Sequence, residues 1–181
     1  MTKKKVPIVA IVGRANVGKS SLFNAVIERR EAIVADEPGT TRDSIMAKAS
    51  VRIGADVKDF WLVDTAGLKD AKDDFEFTIQ EQILQAADSA DIIIVMAEAS
   101  TTITEEDRRV AKMALRSRKP VILAVNKADK AKGKDLSHFE RLGIKPIFHT
   151  SVTQMNGVDD LLEYLHELLI PASIKEDDDR V

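Results

Sequence analysis

Four apolar runs of strand length punctuate the chain: VPIVAIV (6–12), FWLV (60–63), DIIIVMA (91–97) and PVILAV (120–125). Three of them are β-branched and nearly continuous, which predicts strands of a parallel sheet covered on both faces. Pro7 stands near the start of the first run, where a missing backbone donor does least harm. The segment SIMAKASVRI (44–53) alternates more loosely, and Gly54 with Asp56 marks a turn after it, so an antiparallel edge pair is expected there. A further short strand precedes HTSVTQ (149–154).

Between these runs the apolar period lengthens toward 3.6. SLFNAVI follows the first strand, and Ile79, Ile83, Leu84 and Ala87 share one helical face. Thr104, followed by Glu105, Glu106 and Asp107, predicts the start of a helix running to about Arg118, with acids in its first turn and cations in its last. Val158, Leu161, Leu162, Leu165 and Leu169 line one face of a last helix, which Pro171 ends. Strands alternating with helices predict a layered α/β fold: a mostly parallel six-stranded sheet with helices on both faces and right-handed crossovers. Ligands in such sheets bind beyond the carboxyl ends of the strands.

Composition narrows the class. The 181 residues are 44% hydrophobic and 31% charged but only 4% aromatic, the balance of one globular domain with an aliphatic core. A formal charge of −3 is not that of a chain that grips nucleic acid by itself, and Lys3, Lys4 and Lys5 read as a solvated end. Cysteine is absent, which removes disulfides and thiolate metal sites. No leader-like apolar block and no run of membrane-spanning length is visible, so a cytoplasmic address without membrane contact is expected. KEDDDR (175–180) reads as a solvated tail or a severed linker, giving a domain over 1–171 and a tail over 172–181.

Four short segments fall where the strands end: GRANVGKS (13–20), PGTTRD (38–43), DTAG (64–67) and NKAD (126–129). GRANVGKS (13–20) lies between an apolar strand and a helix, the context a phosphate-binding loop requires. Gly13 and Gly18 permit backbone conformations that turn successive N–H groups, those of Asn16, Val17, Lys19, Ser20 and Ser21 among them, toward a phosphate at a helix N-terminus. Lys19 reaches the β- and γ-phosphates, and Ser20 offers its hydroxyl to Mg2+. Asp64 in DTAG (64–67) ends a strand facing the same pocket and is a second Mg2+ candidate, while Gly67 can bring an N–H to the γ-phosphate.

NKAD (126–129) supplies base selection. The Asp129 carboxylate can accept hydrogen bonds from the ring N–H and the 2-amino group of guanine, and adenine offers neither donor. Asn126 can reach the base N7 and brace the loop, the Lys127 stem can lie over the ring, and the amides of Ser151 and Val152 can meet guanine O6. His149 reads as packed beside that loop, and His138 and His166 as surface or helix-face residues. The four segments together predict a P-loop NTPase of the G-domain type that binds GTP and GDP with Mg2+.

With these boxes in place, the chain resembles the Era, TrmE and EngA group of translational GTPases, and within it the first G domain of the EngA (Der) family. RREAIVADEPGTTRD (29–43) is similar to that group's first switch, and AADSADIIIVMAEASTTITEEDRRVA (86–111) to the EngA region before the guanine box. The chain departs from EngA in having DTAG for DTGG and SV for SA in the last box. The resemblance implies that Thr41 is the switch threonine on Mg2+, with Thr40 its neighbouring candidate. It also implies that Asn16 holds K+, which stabilises charge during hydrolysis where other GTPases insert an arginine.

Leu68 stands where a Ras-like enzyme has the glutamine that orients attacking water. On these terms Lys19, Asn16, Thr41 and Gly67 are the expected catalytic set, and residues 30–43 and 68–78 are the expected switches. The resemblance further implies GTP hydrolysis in the service of large ribosomal subunit assembly, with the precursor of that subunit as partner and a second G domain and a KH-like domain elsewhere in the parent protein. The alternatives are a nucleotide-dependent binding module with negligible hydrolysis, or an Era- or TrmE-like domain acting in small-subunit assembly or tRNA modification.

Overall fold

The computed structural model describes residues 5–28, 46–65 and 88–169. Six strands form one sheet: β1 (Ile8–Val12), β2 (Met46–Ile53), β3 (Asp56–Asp64), β4 (Ile92–Glu98), β5 (Val121–Asn126) and β6 (Ile147–His149), in the order β2-β3-β1-β4-β5-β6. All neighbours are parallel except β2 and β3, the expected antiparallel edge pair. Their two-residue turn places Ile53 opposite Asp56, with Gly54 at φ +61°. The hairpin carries β3 back to Asp56, well before the apolar run that announced it. The polar half, from Asp56 to Asp59, is mostly exposed because it projects past the core.

Among the described residues three long α-helices flank the sheet: α1 (Lys19–Glu28), α2 (Glu105–Arg116) and α3 (Val158–Leu168). Alternation along β1 divides two cores. Val9 and Ile11 pack with Leu22 and Val26 of α1 and Leu161 and Leu165 of α3, while Ala10 and Val12 face the side of Val110, Ala111 and Ala114 of α2. Both faces of the central strands are therefore covered, as their unbroken apolar sequence requires.

Thr104 caps α2 as expected. Its side chain accepts from Asp107 N at 3.1 Å, and Asp107 Oδ2 accepts from Thr104 N at 2.9 Å, a reciprocal capping box. The helix stops at Arg116 rather than near Arg118, because Ser117 Oγ donates to Ala114 O at 2.5 Å and Arg118 takes a left-handed φ of +60°. On α3, Val158, Leu161, Leu162 and Leu165 are buried, as is Leu169 just after the helix. His166, on the partly polar flank of α3, is also buried; its Nε2 lies 3.1 Å from Asp56 Oδ2 on the β2–β3 hairpin. Pro171, the acidic tail, both expected switches and the helix expected around Ile79 to Leu84 lie outside the described residues. No helix among the described residues is long and apolar enough to cross a membrane.

Candidate functional site

β1 lies between β3 and β4, so successive crossovers leave it on opposite sides and open a crevice at its carboxyl end. GRANVGKS fills that crevice. Gly13 has φ +155°, and a Cβ there would come within 2.7 Å of Met96 O, so the loop's backbone runs against β4 where no side chain fits. Gly18 has φ +108°, and its Cβ would come within 2.2 Å of Asn126 Nδ2. Lys19 is buried at the first position of α1, its ammonium donating to the carbonyls of Gly13 and, at 3.0 Å, Arg14. Ser21 is exposed on the first turn of α1.

Ser20 Oγ donates to Asp64 Oδ2 at 2.8 Å, bringing the two described Mg2+ candidates together. Asp64 is buried at the end of β3, and the adjoining Thr65 hydroxyl bonds Ile11 O at 2.8 Å, so the start of DTAG is pinned to β1. A hydroxyl and a carboxylate are the hard oxygen donors that Mg2+ takes, so these residues fit the ion. Thr40, Thr41, Gly67 and Leu68 lie outside the described residues.

Asn126 ends β5 and is buried. Its Nδ2 donates to Val17 O at 2.9 Å, and its Oδ1 accepts from Thr150 Oγ1 at 3.0 Å and from Val152 N at 3.2 Å. Of the two expected roles the structure places it in the bracing one, between the phosphate loop and the segment after β6. Lys127, in a left-handed conformation at φ +60°, sends its Nζ to Asn16 O at 2.7 Å and to Glu98 Oε1 at 3.2 Å. Asn16 also has positive φ, +68°, and its side chain is exposed beside this latch.

In the last box the two amides expected at guanine O6 have partners within the protein. The Val152 amide is engaged by Asn126 Oδ1, and the Ser151 amide donates to Asn156 O at 2.9 Å, so neither N–H stands open for a guanine O6. The cause is the tight Ser151–Asn156 bridge, which folds Val152–Gln154 into a 3-10 turn. Ser151 contributes instead through its hydroxyl, which donates to Asp129 Oδ1 at 2.9 Å. Asp129 is exposed. His149 is exposed and His138 half-buried against Phe139.

Sequence reasoning missed a charge network around the loop. Arg14, at a variable position of GRANVGKS, reaches Asp107 Oδ1 at 3.2 Å, Thr101 Oγ1 at 2.8 Å and Glu98 Oε2 at 3.5 Å. Asp107 thus caps its helix and holds the phosphate loop at once; its sequence signal was spent on the cap. Glu98 ends β4 between Arg14 and Lys127. Burial raises its pKa, but hydrogen bonds from Ser100 and Lys127 and the charges of Lys127 and Arg14 outweigh that, leaving it below the ordinary value.

A glycine loop at the switch point of such a sheet, a Ser–Asp pair at its rim and an Asn-Lys-x-Asp turn bonded to the same loop are the architecture of a P-loop GTPase domain. The chain belongs to the 50S ribosome-binding GTPase family, whose model matches residues 8–127. It is 39% identical over 176 residues to the GTPase Der of Limosilactobacillus fermentum, covering 97% of this chain and 39% of that protein. The GTPase Der of Finegoldia magna is 41% identical over 177 residues, covering 97% of this chain and 40% of its own length. The chain therefore spans about two fifths of the length of the curated relatives it matches.

Among solved structures, the cytosolic domain of the Thermotoga maritima FeoB iron transporter in a GDP form aligns with a TM-score of 0.62 at 29% identity, over 90% of this chain and 63% of that one. Era from Aquifex aeolicus bound to GDP·AlF4− shares the fold, with a TM-score of 0.67 at 24% identity over 92% of this chain and 57% of that one.

Proposed function

We propose that residues 1–171 form a G domain that binds GTP and GDP, hydrolyses GTP and serves, in a longer protein of the Der type, the assembly of the large ribosomal subunit. The observation that supports this most is the bonding of Asn126 to Val17 O, since it ties the start of the base-selecting turn to the phosphate loop. In this reading the chain is the first G domain of that protein, residues 172–181 lead toward a second G domain and a KH-like domain, and the work is cytoplasmic.

The roles follow from the side chains. Lys19 exchanges its loop carbonyls for the β- and γ-phosphates, and the loop amides from Asn16 to Ser21 complete the cradle. Ser20 and Asp64, with Thr41 from the first switch, would hold Mg2+, which would supply positive charge against the charge developing on the phosphates. Asp129, oriented by Ser151, takes the guanine edge, and the Lys127 stem lies over the ring. Gly67 senses the γ-phosphate, so its loss releases Thr41 and Gly67 and relaxes both switches.

Leu68 cannot orient water, so the charge developing on the transferred phosphoryl group needs another source of stabilisation. Asn16 fits a K+ ligand: its amide is exposed at the loop rim and its backbone carbonyl is held by Lys127. Single-turnover GTP hydrolysis by the whole chain is expected to be faster in KCl than in NaCl, and Asn16→Ala is expected to erase the difference. Leu68 also favours a second reading, a binding module whose occupancy tunes contacts with neighbouring domains. Negligible single-turnover hydrolysis in both salts, with tight mant-GDP binding, would select that one.

A further inference from the structure

The near-neutral charge of the chain hides a polarised distribution. Residues 108–145 hold twelve Lys and Arg against three acids, Asp129, Asp135 and Glu140, a local excess of nine in a chain whose net charge is −3. On α2 this excess points outward: Arg108, Arg109, Lys112 and Arg116 are exposed, while Val110, Ala111 and Ala114 face the core. Positions 108, 112 and 116 follow one another at i, i+4, about 6 Å apart along the helix axis, with Arg109 alongside.

The basic surface continues past the helix. Arg118 is exposed, and the 3-10 segment Ser137–Leu142 packs on α2, bringing Arg141 and then Lys145 to its edge. A Cβ on Gly143 would lie 3.5 Å from Leu115 Cδ1, which places this edge against the last turn of α2. Among the described residues only Arg108 of this set is in an ion pair, with Glu105 at 3.1 Å. Like charges at i, i+4 each cost a helix about 0.2–0.5 kcal/mol. Beyond the Arg108–Glu105 pair, no ion pair among the described residues offsets that repulsion, whereas a polyanion laid along the helix would.

We propose that the solvent face of α2, with the Arg141–Lys145 edge, docks the phosphate backbone of a helical RNA. The proposal deepens the ribosomal reading and rests on it for the source of the RNA, while the surface itself rests on the charge geometry. Arginine outnumbers lysine on the patch, and the guanidinium fork matches phosphate oxygens in pairs. Leu115 is its only exposed large apolar side chain, so it lacks the apolar centre by which a protein partner would be held. Among the described residues none of the exposed large apolar side chains is aromatic, so the described surface offers no such platform for stacking unpaired bases, which points to backbone contacts. Asp107 at the start of this helix holds Arg14, so the helix that carries the surface is bonded to the phosphate loop.

The test uses the whole chain, a fluorescein-labelled RNA hairpin and anisotropy across a range of KCl concentrations. Lys112→Glu/Arg116→Glu is compared with Lys5→Glu/Arg52→Glu, an exposed pair elsewhere that changes the net charge equally. The α2 pair is expected to weaken binding about 10-fold or more and to flatten the salt slope by about 1.5, two lost contacts at roughly 0.7–0.9 each. The control pair is expected to stay near the parent.

Equal loss from both pairs, or unchanged binding in the α2 pair, would overturn the proposal. So would displacement of the RNA by poly-L-glutamate at matched charge, which would mark a surface for acidic proteins. Mant-GDP binding is read on the same samples. No RNA binding with mant-GDP binding intact removes the surface and spares the nucleotide site; RNA binding without mant-GDP binding supports the surface and removes the nucleotide reading.

Discussion

Asn126 Nδ2 donates to Val17 O across 2.9 Å, joining residues 109 apart in sequence and tying the end of β5 to the phosphate loop. The same side chain accepts from Thr150 and Val152, so one buried amide holds three loops. Asn126→Ala removes the donor and the acceptor while leaving their partners in place. It is expected to lower stability by about 2–4 kcal/mol, the range for stranding several buried polar groups. Urea unfolding without nucleotide measures this, and a loss below about 0.5 kcal/mol would show that the three loops hold themselves.

Gly18 and Gly54 separate backbone strain from steric overlap. Both have positive φ, +108° and +61°, but a Cβ at Gly18 would meet Asn126 Nδ2 at 2.2 Å, whereas at Gly54 nothing lies within 4 Å. Gly54→Ala is expected to cost about 1–2 kcal/mol for the left-handed conformation alone. Gly18→Ala adds the displacement of Asn126 and is expected to cost at least about 3 kcal/mol, within the range of overpacked sites added to strain. Equal losses in parallel melts would mean that the Asn126 side chain yields freely.

How legible the molecule was depended on how local each determinant is. The strands, the hairpin, the Thr104 cap and the buried face of α3 are written in windows of a few residues, and they stand where the pattern put them. The positions of Lys19, Ser20, Asp64 and Asn126 around one crevice follow from strand order, which motif spacing also implies. What could not be read were contacts set by tertiary packing: Arg14 on Asp107, 93 residues away, and Lys127 on Asn16 O, 111 away. The partners of the Ser151 and Val152 amides could not be read for the same reason, since they depend on a local bridge and on a strand end that meet only in the fold. The basic face of α2 was hidden by averaging charge over the chain.

Arg14 and Asp107 should be energetically coupled. The pair is mostly buried, with side chains 16% and 3% exposed, and both carboxylate oxygens of Asp107 lie within 3.4 Å of Arg14 Nε. Asp107→Ala also loses the reciprocal half of the capping box, while Thr104 still caps the helix. A double-mutant cycle of Arg14→Ala and Asp107→Ala removes that local share and is expected to leave a coupling of about 1–3 kcal/mol. Coupling near zero would make Arg14 a passenger on the loop.

Glu98 gives this network a pH dependence of definite sign. Although burial raises its pKa, the bonds and charges around it hold the carboxyl below its unfolded value. Such a group stabilises the fold fully above the unfolded value, and that contribution is lost as pH falls through the folded one. The tie between Arg14 and Lys127 is therefore complete at neutral pH and dissolves in acid, below the ordinary carboxylate range near about 4.3. Urea midpoints of the parent should fall more steeply across that range than those of Glu98→Gln, which starts lower and has no such carboxylate to protonate. Parallel curves would place the acid sensitivity elsewhere.

Asp129 is held through one oxygen, Oδ1, by the Ser151 hydroxyl and is otherwise open to solvent. In the proposed complex its carboxylate takes the ring N–H and the 2-amino group of guanine together. Inosine diphosphate keeps the first donor and lacks the second, so it should bind about 10-fold more weakly than GDP, one hydrogen bond to a charged group. ADP, which has neither donor, should bind at least about 100-fold more weakly than GDP, two such hydrogen bonds. Ser151→Ala frees Oδ1 without touching the base and should weaken GDP and inosine diphosphate by the same factor, since orientation serves both. Competition against mant-GDP measures all three. If inosine diphosphate matched GDP, the carboxylate at 129 would have no hold on the amino group, and the selection of guanine would have to come from another residue.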